Sequence, residues 1–287
     1  MNKYLYICTL AGQLLISCQK ENEQGLSNDP VEVSFTATTQ GDRLITYGSE
    51  EGGVSNLDFA THSLRYIMEI YDASNALVAN QTVKIVTATP TTVNFDTRLV
   101  PGVYQFVFWA DIVDKSNPLN DLHYNTSDLT NITFKNAYFG NDDTKDAYTT
   151  VKIIDVRAGM TQHITLTRPF GKIRVLATDT PDNSNKWSKL RYYGNLPAGF
   201  NALTGEPLTS VLTDPEYAVA APVYGETGPE QTMAWDYIFT PAAGASSYTF
   251  DVTVYSDAGI SSIKTKLLTN VPIQRNKLTT ITGNFFN

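Results

Sequence analysis

Cysteine is almost absent from this chain of 287 residues: it occurs twice, at Cys8 and Cys18, and nowhere beyond. Without a thiol after Cys18, disulfide staples, thiolate metal sites and cysteine nucleophiles are excluded, so the fold must rest on its hydrophobic cores. Histidine is nearly as scarce. His62, His123 and His163 stand far apart, and no two have the spacing of a metal-binding pair. There is no G-x-S-x-G, no H-E-x-x-H and no phosphate-cradling glycine loop, so no motif points to an enzyme or to a cofactor. Positive charge is in deficit as well: 21 Lys and Arg stand against 29 Asp and Glu, a formal −8. An acidic body argues against nucleic acid and anionic lipid as partners. The longest apolar run, Tyr4 to Ile16, is too short to cross a ~30 Å hydrocarbon core as a helix.

What is present begins with that run. Residues 1–17 carry Lys3, no acidic side chain and an apolar centre, the pattern of a cleaved signal peptide. Leu15-Ile16-Ser17-Cys18 then resembles the lipobox of bacterial lipoproteins. The resemblance implies that Cys18 becomes the first mature residue, carrying a thioether-linked diacylglycerol and an amide-linked acyl chain such as palmitate. At ~0.8 kcal/mol per buried CH₂, several chains hold a protein far better than one. An ordinary secretory signal with a chance cysteine is the alternative, and export holds under either. Gln19, where aspartate would favour retention, resembles sorting to the outer membrane of Gram-negative cells, and Lys20, Glu21 and Glu23 resemble surface-export signals. Loss of Lys3 with the leader leaves 20 basic against 29 acidic residues, or −9. Residues 18–30 contain one large apolar residue, Leu26, too few to fold; they read as a lipidated tether spanning roughly 20 Å.

Beyond the tether the periodicity is two, which specifies an all-β fold. Val31, Val33, Phe35 and Ala37 alternate with Glu32, Ser34, Thr36 and Thr38. Further strands are expected at 64–71, 82–86, 93–99, 104–112, 149–156 and 163–166, and then at 172–177, 190–193, 233–239, 248–255, 263–268 and 278–285. In the strand at 104–112, aromatic residues on both faces suggest a central position. Between the two sets, Thr167-Arg168-Pro169-Phe170-Gly171 interrupts the pattern without a polar linker. That places an N-terminal β-sandwich over 31–168 and a C-terminal one over 169–287. The stretch from Asp114 to Asp146 is rich in loop residues and is a candidate binding region.

Several segments carry a family resemblance. Val100-Pro-Gly-Val-Tyr-Gln-Phe-Val-Phe-Trp-Ala-Asp111, His123-Tyr-Asn-Thr126, Tyr138-Phe-Gly-Asn-Asp-Asp143 with Asp146-Ala-Tyr148, and the closing Val271-Pro-Ile-Gln-Arg-Asn-Lys-Leu-Thr-Thr-Ile-Thr-Gly283 resemble the fimbrillin-like surface lipoproteins related to type V pili. The resemblance implies two transthyretin-like, Greek-key β-sandwich domains in tandem, no catalysis, and a role in fimbriae or cell adhesion at the outer membrane. Partners implied are other fimbrial subunits or receptors on host or bacterial surfaces. Polymerisation in such a family proceeds by strand exchange after proteolysis, and Arg43 is a candidate cleavage site just after the first strand. Because the final strand is followed directly by Asn287, no donor extension is evident, which favours an anchor, minor or tip component over a shaft subunit.

The rival reading is a glycan-binding surface lipoprotein. Trp187, Tyr192 and Tyr193, or Trp235 and Tyr237, are candidate sugar-stacking aromatics, although core packing is the commoner use of such residues. A passive structural protein without a small ligand is a third reading. Two clusters have oxygen ligands suited to Ca²⁺, Asn141 with Asp142, Asp143 and Asp146, and Asp179 with Asp182, Asn183 and Asn185. Neither follows the EF-hand spacing, solvated Asx-rich turns are the simpler account, and no metal site is expected.

Overall fold

Alternation of apolar and polar side chains builds a run of strands, here described from a computed structural model covering residues 28–40, 57–179, 186–221, 226, 230–256 and 261–287. The first set is β1 (Val31–Thr39), β2 (His62–Asp72), β3 (Leu77–Val86), β4 (Thr92–Leu99), β5 (Gly102–Asp114), the short β6 (Tyr124–Asn125) and β7 (Ile132–Phe134), then β8 (Ala147–Val156) and β9 (Met160–Leu166). The second is β10 (Phe170–Ala177), β11 (Lys186–Tyr193), the short β12 (Asn195–Pro197), β13 (Gly199–Asn201), β14 (Glu206–Pro207) and β15 (Val211–Thr213), then β16 (Glu216–Ala221), β17 (Gln231–Phe239), β18 (Ala245–Tyr255), β19 (Ser262–Gln274) and β20 (Leu278–Gly283). Among the described residues the only helical piece is a 3₁₀ turn at Asp143–Lys145, and no helix is long and apolar enough to cross a membrane.

The two sets repeat one topology. In the first, a three-stranded sheet β4-β1-β9 faces a four-stranded sheet β3-β2-β5-β8; in the second, β17-β10-β20 faces β16-β11-β18-β19. Each unit's first strand lies in the middle of its smaller sheet, antiparallel to one neighbour and parallel to the unit's last strand. The fold is all-β and of sandwich type. The inward residues Val33, Phe35 and Ala37 of β1 meet Phe106 and Phe108 of β5, with Phe35 4.6 Å and 5.2 Å from their rings. Ile173, Val175, Leu190, Tyr192, Phe250 and Val252 form the corresponding core of the second unit.

Every principal strand but β16 coincides with one expected from alternation. Glu216–Ala221 was missed because Ala218 and Ala220 carry too little bulk to mark a face. The final strand ends at Gly283 rather than Phe285, whose ring instead turns into the second core. The stretch from Asp114 to Asp146 is mostly loop, as its residues suggest, but part of it is packed between the units. Its β7 pairs with β13, joining the two units through a sheet β14-β13-β7-β6, and Tyr124, Leu129 and Ile132 are fully buried.

That stretch lies over the outer face of β2 and β5 and under the second unit. Ile67, Val107 and Trp109 from the first unit, Tyr124, Leu129 and Ile132 from the insertion, and Phe170, Phe200, Trp235, Tyr237 and Phe239 from the second form one apolar cluster. Phe200 stacks on Phe239 at 5.5 Å, and Trp109 meets Tyr124 edge-on at 5.6 Å. A third core therefore sits between the two sandwiches. At Gly199 a Cβ would lie 2.1 Å from the Ile132 carbonyl oxygen, so the close approach of β13 and β7 requires glycine.

Candidate functional site

The chemically distinctive part of the molecule is this seam, because buried charges need partners. Arg168, between β9 and β10, presents its guanidinium fork to Asp146, with Nε at 2.8 Å from Oδ1 and Nη2 at 2.6 Å from Oδ2. Its Nη2 also donates to the Tyr148 hydroxyl, and that hydroxyl donates to Asp146. Burial alone would lower the affinity of Arg168 for its proton, but Asp146 and Tyr148 more than offset this and hold the group charged. In β10, Lys172 donates to Asp143 Oδ1 at 3.1 Å and to the Tyr237 hydroxyl at 3.2 Å, with its ammonium 4.1 Å from the Trp235 ring centre. Burial pulls its pKa down to about 8, and Asp143 recovers only part of the loss.

Lys145 follows the same rule from the insertion side. Its ammonium donates to the Phe139 carbonyl, lies 3.7 Å from Asp236 and faces the rings of Phe134, Tyr138 and Phe139. Asp236 in turn accepts from the hydroxyls of Tyr138 and Tyr192 and from the Tyr237 backbone N–H. Burial raises the pKa of Asp236, with Lys145 and the two tyrosines acting against it. His123 Nε2 lies 2.7 Å from the Thr144 hydroxyl and 3.5 Å from Asp142; burial depresses its pKa, so at neutral pH it is a hydrogen-bonding group rather than half of an ion pair. On β2, Arg65 grips Asp111 through two bonds of 2.9 Å and 2.7 Å and reaches Asp121 at 2.8 Å. These side chains are occupied with one another, and the arrangement ties three layers of chain together.

The residues singled out in the sequence are dispersed. Cys18 and Arg43 lie outside the described residues, although β1, which precedes Arg43, is enclosed between β4 and β9 rather than standing at an edge. Trp187 and Tyr193 project from the outer face of β11, six residues apart, and Tyr193 is 45% exposed. Tyr192 points the other way, into the second core, and donates to Asp236. Trp235 and Tyr237 are buried in the seam. Of the Ca²⁺ candidates, Asn141 accepts from the Trp235 N–H, Asp142 caps the 3₁₀ turn, and Asp143 and Asp146 hold Lys172 and Arg168. Asp179 accepts from the N–H groups of Phe285, Phe286 and Asn287, while Asp182, Asn183 and Asn185 lie outside the described residues. Among the described residues no group of three or more His, Cys, Asp or Glu could hold a metal ion.

Sequence reasoning passed over Lys172, Asp236 and Lys145. A signal existed for two of them: Phe170–Ala177 carries Lys172 and Arg174 among apolar residues, and Gln231–Phe239 is a strongly apolar strand with a single carboxylate, Asp236. A charge in such a run implies a buried partner on another strand.

A family model described as a family of unknown function (DUF6562) matches residues 24–287. No curated protein matches the chain. Among solved structures, the fimbrial anchor protein Mfa2 from Porphyromonas gingivalis is similar at 14% identity and a TM-score of 0.47, over 88% of this chain and 90% of that one. A candidate cell adhesion protein from Bacteroides fragilis is similar at 11% identity and 0.47, over 88% and 92%. A candidate polysaccharide-binding protein from Bacteroides thetaiotaomicron is similar at 11% identity and 0.47, over 88% and 90%.

Proposed function

The chain belongs to the family of unknown function DUF6562, and from that premise we propose that it is a non-enzymatic, lipid-anchored surface protein of fimbrillin type, serving in cell adhesion as an anchor, minor or tip component. The observation that carries this reading is the seam: two sandwiches of one topology are fastened by an apolar core and by the ion pairs of Lys145 with Asp236 and of Asp143 with Lys172, so load applied to one unit passes to the other. Such a body, of residues 31–168 and 169–287, suits a stiff element held off the outer membrane by the tether at 18–30. Acylation of Cys18 supplies the attachment. Arg168, Lys172 and Lys145 of the seam are each paired with a carboxylate of the protein itself, which accords with a binding or building role.

The state of β1 separates a terminal component from a shaft subunit. Cleavage after Arg43 would remove β1 and leave β4 and β9 each with an open edge and a gap where Val33, Phe35 and Ala37 had packed. The anchor reading keeps β1 in place. Mass spectrometry of the terminal peptides from native cells, together with fractionation of a Cys18→Ser variant, tests both parts. An acylated Cys18, an intact Val31–Thr39 peptide and release of the variant from membranes are expected. An unmodified N-terminus with unchanged fractionation overturns the anchor, and chains beginning after Arg43 in high-mass ladders overturn the terminal role.

A further inference from the structure

The outer face of the second unit's larger sheet carries a site of a different kind. Alternation along β11 turns Ser188, Leu190 and Tyr192 inward and sends Trp187, Lys189, Arg191 and Tyr193 outward. Register places Trp187 between Ala220 of β16 and Tyr255 of β18, and Lys189 between Ala218 and Thr253. An open hollow of about 370 Å³ lies here, lined by Lys189, Glu216, Tyr217, Ala218 and Tyr255. That volume falls within the roughly 300–1,000 Å³ of small-molecule sites. The small side chain of Ala218 leaves the depression open, Tyr255 forms a wall, and Trp187, on the same face and directly across from Tyr255, flanks it. Lys189 Nζ and Glu216 Oε1 meet at 2.6 Å, with side chains 32% and 45% exposed.

We propose that this hollow binds a neutral pyranose of a glycan, its C–H face stacked on Tyr255 beside Trp187 and its hydroxyls bonded to Lys189 and Glu216. Charge selects against the alternatives. A phosphate or uronate would have to draw Lys189 away from the carboxylate that neutralises it, and a wholly apolar ligand would strip water from an ion pair without replacing the hydrogen bonds. A sugar hydroxyl both donates and accepts, so adjacent hydroxyls satisfy a carboxylate and an ammonium together. Farther along the strand, register sets Arg191 opposite Glu216 and Asp251, so the surrounding field is balanced too. The site belongs to the folded body and does not depend on the lipid anchor or on the fate of β1.

The purified full-length chain is titrated with the methyl glycosides of glucose, galactose, mannose and N-acetylglucosamine, and with galacturonate. Binding is followed by saturation-transfer NMR and tryptophan fluorescence. Trp187 is the half-buried indole, whereas Trp109 and Trp235 are 0% and 2% exposed, so a sugar at the hollow reports through Trp187. At least one neutral glycoside is expected to bind with a Kd of about 1 mM or tighter and to change the emission. Tyr255→Ser should weaken it about tenfold or more, and Tyr193→Phe, outside the hollow, should not. If Tyr255→Ser fails to fold, Glu216→Gln, at an exposed side chain, carries the same test. No binding by any neutral glycoside, tighter binding of galacturonate than of galactose, or undiminished affinity in folded Tyr255→Ser or Glu216→Gln would overturn the proposal.

Discussion

β2 and β11 hold the same place in their respective sandwiches, yet their outward residues meet opposite fates. Arg65, Ile67, Glu69 and Tyr71 of β2 are at most 5% exposed, whereas Tyr193 of β11 is 45% exposed and the Lys189 side chain 32%. Topology does not explain the contrast, since strand order is the same. The difference comes from what is laid on the face. The insertion between β5 and β8 and the second unit together cover the first sheet, and nothing among the described residues does this for the second. Covering a face turns its charges into obligations: Arg65 must find Asp111 and Asp121, and Glu69 must find the Tyr71 hydroxyl, Gln81 and the Leu129 N–H. An uncovered face leaves the same residue types free to meet a ligand.

The sharpest way to break this comparison is a pair of tryptophan truncations. Trp109→Ala, in the covered face, should cost about 3–5 kcal/mol in denaturant unfolding, while Trp187→Ala, on the open one, should stay within about 1 kcal/mol. Equal losses would mean that the two faces are not different in kind. Next in size is Asp236→Asn, which leaves the buried Lys145 ammonium without its counter-charge and should cost about 3 kcal/mol. Its counterpart on the open face, Glu216→Gln, breaks the exposed pair with Lys189 and should cost no more than about 1 kcal/mol.

Gly199→Ala probes the join itself. Forcing β13 away from the Ile132 carbonyl should lower stability by about 1–3 kcal/mol and speed amide exchange along Ile132–Phe134 before it does so in either sandwich core. Uniform acceleration across both cores would show that the seam is not a separable layer.

The smallest effect is one of pH. Lys172 releases its proton near pH 8 in the folded chain but only near 10.5 when unfolded. Above about pH 8 the unfolded state therefore binds more protons, and this lysine's contribution grows more favourable as pH rises. It should amount to about 1 kcal/mol per pH unit at most. Lys172→Met should flatten stability between pH 8 and 9; an unchanged slope would assign it to another group.

Much of the fold was legible because burial on one side of a strand leaves a period-two record. β1 and β18 show it plainly, and even β10 and β17, buried on both faces, could be recognised as long apolar strands. β16 left no record because alanine marks neither face. The insertion misled for a related reason. Asn, Asp and Ser in Asp114–Asp146 read as exposed turns, but Tyr124, Leu129 and Ile132 are spaced irregularly among them and meet only when the second unit closes over. The aromatics Trp187, Tyr192 and Tyr193 lie close together in sequence, but a strand sends neighbours to opposite faces, so Tyr192 is separated from the other two.

What this sequence determined by itself was local: the strand class, and the absence of a thiol after Cys18. Each follows from composition or from a repeat of two residues, which needs no distant partner to be read. Only the tertiary structure decided which sheet face is covered, which charges pair and where Trp187 meets Tyr255. Those outcomes depend on contacts between residues tens to more than a hundred positions apart, such as Asp111 with Arg65 and Lys145 with Asp236, and pairings of that range leave no mark on the periodicity of either partner's strand.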